Sequence, residues 1–404
     1  MTESLRKFIE EHANDDLPEL LVNASHYPNV NVKEAAIQIK AREQIKEKLP
    51  SWYRNDRLIY PSSLSAEQCS SEITACYKQR FVQCDDWLCD LTGGLGVDAY
   101  FLSKKARFVT FVEKDKNCCD IAIENFRTLG ADNIQVINID ALDFLKSKEV
   151  HKENINIFYI DPSRRSSGNK RLYAINDCEP DLLKVIALLP NPYRLVIKLS
   201  PMLDITQVLT QIPSVREIHV VAIKNECKEL LIFSESLASV TPAMKGVDFD
   251  PEIYCANFGG DGTEQEFCFH LRDEHAAIAP IAKNLGRYLY EPNASILKAG
   301  AYKAVALQHG VEKIHISSHL YTSVHPVLKF PGRIFEITGV LPFNNRMCKT
   351  IHRSIPQANI SVRNFPLSVD ELRKRTCIAD GGDVYLYGTT LSDKSKVLII
   401  CRKF

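Results

Sequence analysis

The stretch that decides the fold is W-L-C-D-L-T-G-G-L-G, Trp87 to Gly96. A short apolar run ends on Asp90 and passes into Gly93, Gly94 and Gly96, the pattern of a strand that turns tightly into a helix. A backbone without side chains can approach a ligand there, and the helix start beyond it offers unpaired N–H groups. Strands and helices then alternate. Val97 to Lys105 reads as a helix, Arg107 to Asp115 as a strand, and Asn117 to Leu129 as a helix with Cys119, Ala122, Phe126 and Leu129 on one face and Gly130 as its cap. I-Q-V-I-N-I-D ends on Asp140, A-L-D-F-L-K-S-K is helical, and I-N-I-F-Y-I-D ends on Asp161. Further on, Y-R-L-V-I-K-L-S, V-R-E-I-H-V-V-A-I and K-E-L-L-I-F-S-E read as strands.

Strands separated by single helices imply a parallel, doubly wound sheet with right-handed crossovers. Only Lys224 to Cys227 separate the last two strands, which permits an antiparallel hairpin and excludes a crossover. Seven strands with the last antiparallel is the Rossmann-like α/β arrangement of class I S-adenosylmethionine-dependent methyltransferases, which residues 85–236 resemble. Residues 1–84 look helical. Val32 to Leu49 has apolar residues near helical spacing with Pro50 as the stop, and a second helix is predicted from Ser65 to about Phe81, capped by Ser65. Residues 237–329 form a connecting region, with Asn293 to His309 helical but interrupted at Gly300. Residues 330–404 resemble, by element order and basic pattern, the small α+β THUMP-like domain at the end of some bacterial methyltransferases.

The resemblance implies S-adenosylmethionine as cofactor, held by Asp90, Thr92, Gly93, Gly94, Gly96, Glu113, Lys114, Asp140 and Ala141. A nicotinamide cofactor is the rival, because Gly94, Gly96 and Ala99 fit the relaxed G-x-G-x-x-A form and either cofactor uses an acid such as Glu113 on its ribose. Asp140 and Asp161, ending the third and fourth strands, favour the methyl donor; hydride transfer needs neither.

Asp161, Pro162, Ser163 and Arg164 stand where the family places its fourth motif, [DNS]-P-P-[YFW], in enzymes that methylate exocyclic amines of bases. The Asp161 carboxylate and the Pro162 carbonyl would accept the two N–H bonds of the amine and turn its lone pair toward the methyl group. Ser163 departs from the second proline and Arg164 from the stacking aromatic, although a guanidinium can also stack on a base. D-P-P-R belongs to enzymes that methylate C5 of uridine, but these need a cysteine on the fifth strand, where Lys198, Leu199, Ser200 and Pro201 stand here. Nitrogen methylation therefore ranks above carbon methylation. Gln68 to Lys78 resembles the segment before the core of cap-type guanine-N2 methyltransferases, and either covers the pocket or is a docked helix.

The chain has 404 residues, 45% hydrophobic and 25% charged, which excludes global disorder and fibrous repeats. No apolar run approaches a membrane span, the 13 scattered cysteines read as reduced core residues, and the start lacks targeting character, so a cytoplasmic location is expected. No metal is expected, since His315, His319 and His325 lack cysteine or acid partners at ligand spacing. Net charge is zero, yet residues 291–404 carry 16 Lys and Arg against 8 Asp and Glu, with Arg373, Lys374 and Arg375 on one predicted helix. The basic tail points to a polyanion. The expectation is a methyltransferase acting on a base nitrogen, guanine first, in rRNA or tRNA; the alternatives are a non-catalytic RNA-binding scaffold, a C5-pyrimidine enzyme or a protein methyltransferase.

Overall fold

The computed structural model describes every residue except 149, 151–153, 165–174, 176, 177, 213 and 237–249. The chain forms two compact units, Met1–Arg216 with Leu231–Asp248, and Glu217–Leu230 with Phe249–Phe404.

The first unit opens with helices Glu3–Glu11, Leu17–Val22 and Val32–Ile45. Leu5, Phe8, Ile9, Leu20, Val32, Ala35 and Ile39 close one apolar cluster among them. Ala41, Ile45, Leu49, Trp52 and Tyr60 join a second cluster with Leu95, Val97 and Phe101, so the helical region packs against the segment that follows the glycines. Pro50 does not simply stop a helix. It opens Pro50–Tyr53, where its missing N–H costs nothing in a first turn. The single helix expected from Ser65 is two, Ser63–Gln68 and Glu72–Lys78. Ser62, not Ser65, caps the first by accepting the Ser65 N–H at 3.0 Å, and Ser71 restarts the chain by accepting the Thr74 N–H at 3.2 Å. A serine able to cap its own downstream backbone competes with helix continuation.

The glycine loop follows β1 (Trp87–Asp90). With β2 (Phe108–Glu113), β3 (Ile134–Asn138) and β4 (Ile157–Ile160) come two short segments, β5 (Ser163–Arg164) and β6 (Cys178–Glu179), that pair antiparallel on their own. After them comes β7 (Arg194–Leu199). The order β3-β2-β1-β4-β7 is parallel throughout. Helix Lys116–Leu129 buries Cys119, Ala122 and Phe126, and Gly130 closes it at φ 68° as expected.

Strands β8 (Val215–Ile223) and β9 (Glu226–Glu235) divide their residues between the two units. Lys224 and Asn225, both at positive φ, make the two-residue turn of a hairpin. The expectation of seven strands is corrected. The sheet runs β11-β10-β8-β9-β7-β4-β1-β2-β3, nine in all, with β10 (Glu252–Phe258) parallel to β8 and β11 (Glu264–His270) antiparallel to β10. The added pair lies where polar residues interleave with Ile253, Cys255, Phe267 and Phe269, and no helix stands between β10 and β11 to signal a crossover.

The second unit also holds a sheet of its own. Its strands are β12 (Tyr288–Pro292), β13 (Glu312–Lys313), β14 (Tyr321–Ser323), β15 (Gly332–Pro342), β16 (Asn359–Arg363), β17 (Val384–Thr390) and β18 (Lys396–Lys403), in the order β13-β14-β12-β15-β18-β17-β16. Residues 288–323, read from the sequence as connection, thus supply three of its strands. The buried Glu291 carboxylate binds Arg333 Nε at 2.9 Å, Arg363 Nη2 at 3.0 Å and the Tyr387 hydroxyl at 2.8 Å, tying four of these strands. Helix Asn293 to His309 is split at Gly300, φ 78°, as its glycine implied.

Candidate active site

A cavity of about 350 Å³ opens above the carboxyl ends of β1, β2 and β4 in the first unit. Ligands of doubly wound sheets bind at such strand ends.

The loop after β1 is shaped by two glycines. A Cβ on Gly93 would lie 2.2 Å from the Phe111 ring, and one on Gly96, at φ 85°, would lie 2.7 Å from Phe126. Helix Val97–Ser103 starts directly beyond. The Gly94 N–H donates to Glu113 Oε2 at 2.9 Å, and the Asp115 N–H donates to Oε1 at 2.8 Å. Glu113 therefore clamps the loop to the end of β2, and each oxygen keeps a second lone pair for a ligand hydroxyl. Asp140 caps helix Ala141–Lys146 by accepting the Leu142 N–H at 2.8 Å, and Ala141 lines the cavity with it. Lys114 also lines the cavity and reaches Glu179 at 2.7 Å.

Asp90 is buried at the floor, where its Oδ1 accepts the Thr92 N–H at 3.0 Å. Burial first, with Asp98, Asp161 and Glu113 nearby as like charges, pushes its carboxyl well above the ordinary range. The Thr92 hydroxyl accepts the Asp161 N–H at 2.7 Å and so joins the ends of β1 and β4. Asp161 and Ser163 line the cavity, whereas Pro162 between them is half-buried and does not. The Arg164 side chain lies outside the described residues.

Every cofactor residue read from the sequence lines this one cavity: Asp90, Thr92, Gly93, Gly94, Gly96, Glu113, Lys114, Asp140 and Ala141. The structure adds groups that the sequence reading did not assign to the cofactor, and Gln68, Cys69 and Ser70 among them come from the segment expected either to cover the pocket or to dock as a helix. Ser65, Gln68, Cys69 and Ser70 form a wall, placing the break between helices Ser63–Gln68 and Glu72–Lys78 against the cavity. Lys198 on β7 ion-pairs with Asp161. Asp98 accepts hydroxyl bonds from Ser70 at 2.7 Å and Tyr159 at 2.8 Å and pairs with the wholly buried Lys78 at 3.2 Å. Lys198 was legible only as the residue beside Ser200; nothing local marked it as Asp161's partner.

The donor set fits S-adenosylmethionine. Acids stand at the ends of β1, β2 and β3, Gly94 leaves the loop open with nothing nearer than 3.9 Å to where a Cβ would stand, and the volume suits a nucleoside-sized ligand. Among the described residues no helix is long and apolar enough to cross a membrane.

Residues 83–177 match the family described as conserved hypothetical protein 95. Residues 288–331 match a ferredoxin-like domain and residues 332–403 a THUMP domain-like family. Over 100 residues the chain is 32% identical to ribosomal RNA small subunit methyltransferase D of Haemophilus influenzae, which is 24% of this chain, and it spans half the length of that curated relative. A crystal structure from Porphyromonas gingivalis W83, of a protein designated a methyltransferase, is 35% identical with a TM-score of 0.88, covering 99% of this chain and 97% of that one. With a likeness of that extent and these matched regions, the chain belongs to the class I S-adenosylmethionine-dependent methyltransferases that end in a THUMP-like domain.

Proposed function

We propose that the chain methylates a base nitrogen in RNA, with guanine the base that the sequence resemblance favours. One observation carries the reading. Asp161 stands at the end of β4 on the cavity that the glycine loop, Glu113 and Asp140 line. The cofactor supplies an electrophilic sulfonium methyl. The chain's own residues hold and orient the nucleophile: Asp161 accepts an N–H of the target amine, and the nitrogen lone pair is left toward the methyl group. Thr92 fixes the Asp161 backbone, so the acceptor does not drift. Carbon methylation is disfavoured on a further ground. Cys69 is the cysteine that lines the cavity, and burial raises its thiol, the opposite of an activated nucleophile.

RNA recruitment is assigned to the basic C-terminal region. Arg373 is held by Asp380 at 2.6 Å, while Lys374 and Arg375 on helix Val369–Thr376 are exposed and suited to phosphates.

The test is methyl transfer from labelled S-adenosylmethionine to RNA taken from cells that lack the gene, with S-adenosylhomocysteine binding measured by calorimetry. Asp161→Ala is expected to abolish transfer and to keep binding within about threefold. Binding of NADH in place of S-adenosylhomocysteine, or equal transfer by wild type and variant, contradicts the proposal.

A further inference from the structure

We infer that Lys198 and Asp161 together read one edge of the target base, so that the methylated amine must be flanked by an unprotonated ring nitrogen. The inference rests on the role proposed for Asp161 and deepens it. Strands β4 and β7 are parallel neighbours with Ile160 opposite Ile197, so Asp161 and Lys198 are the next pair in register. Their side chains meet in an ion pair and both line the cavity, the lysine 14% and the aspartate 35% exposed.

An ammonium only donates hydrogen bonds and a carboxylate only accepts them. Side by side they present an acceptor next to a donor. The complementary edge is an N–H next to a ring-nitrogen lone pair. Guanine offers it as N2 with N3, adenine as N6 with N1 and cytosine as N4 with N3. The Watson–Crick edge of guanine does not, because N2–H there adjoins N1–H. An ammonium opposed to N1–H would leave two donors facing each other in a partly desolvated site. Guanine is therefore held by its N2/N3 edge with N1–H turned away.

The full-length protein and Lys198→Met are given RNA from cells that lack the gene, and the methylated nucleoside is identified by mass spectrometry. N2-methylguanosine, N6-methyladenosine or N4-methylcytidine supports the inference. 1-Methylguanosine or a C5-methylpyrimidine overturns it and leaves the methyltransferase reading standing. No methylation of any RNA overturns that reading and the inference with it. An oligonucleotide of the target is then made with the flanking nitrogen replaced by C–H, 3-deazaguanosine for guanine. Wild-type kcat/KM should fall roughly 10–100-fold, the range of a charged hydrogen bond, while Lys198→Met should lose less than about threefold from its lower starting value. Equal losses overturn the inference. Lys198→Gln, which keeps a donor, repeats the comparison if the methionine variant folds poorly. Both variants should bind S-adenosylhomocysteine within about threefold of wild type; a loss of tenfold or so would put Lys198 in the cofactor seat and overturn the inference.

Discussion

Lys78 lies 3.2 Å from Asp98 with its side chain wholly buried, and the pair joins helix Glu72–Lys78 to helix Val97–Ser103, which follows the glycine loop. Ser70 links the two, receiving a bond from Lys78 at 3.1 Å and donating one to Asp98 at 2.7 Å. The wall of the cavity and its floor thus share one buried charge cluster. Lys78→Met leaves Asp98 buried without its main countercharge and should cost about 3–5 kcal/mol in urea denaturation. Replacing the tyrosine hydroxyl alone, Tyr159→Phe, should cost about 1.5–3 kcal/mol.

Burial alone would raise the Asp98 carboxyl, but Lys78, Lys198 and the two hydroxyls hold it below the ordinary carboxylate range. A depressed folded value contributes stability that is present above the unfolded value of about 3.9 and lost as pH falls through the folded one. The stability difference between wild type and Asp98→Asn should be flat from neutral pH down to about pH 4 and shrink only below it. A difference that already collapses near pH 6 would contradict the assignment.

Asp90 behaves in the opposite sense. Its raised carboxyl favours the protonated form, so its contribution is full below about pH 3.9 and is lost as pH rises toward the folded value. Asp90→Asn is expected to gain on wild type in thermal stability as pH rises from about 4 to 7. A constant offset over that range would refute it.

The glycine loop makes a ranked prediction. Gly93→Ala meets the rigid Phe111 ring at 2.2 Å, Gly96→Ala meets Phe126 at 2.7 Å in a left-handed conformation, and a Cβ on Gly94 finds nothing nearer than 3.9 Å. Affinity for S-adenosylhomocysteine should fall most for Gly93→Ala and least for Gly94→Ala. At Gly94 only the positive φ is penalised, by roughly 1–2 kcal/mol.

Charge reversal of Lys374 and Arg375 should weaken RNA binding and flatten its dependence on salt by about one to two units of the log–log slope. Cofactor affinity should not change, because every residue lining the cavity belongs to the first unit. An unaltered salt slope would remove this helix from the RNA contact.

Much of this was written locally. Alternation of apolar runs with amphipathic helices, the glycines after Asp90 and the short space between β8 and β9 each depend on neighbours in sequence, so pattern alone determined seven of the nine strands, their hairpin and the acids at the strand ends. The capping serines misled the reading only by a few residues, because Ser62, Ser65 and Ser71 all carry the same signal and packing chose between them. What the sequence could not determine is which side chains meet. Ser70 reaches Asp98 across 28 residues, Lys198 reaches Asp161 across 37, and Tyr159 reaches Asp98 across 61. Glu291 gathers Arg333, Arg363 and Tyr387 in the same way. Periodicity reports the face a residue occupies on its own strand or helix; strand register and the seating of the N-terminal helices decide what stands opposite it, and those exist only once the chain has folded.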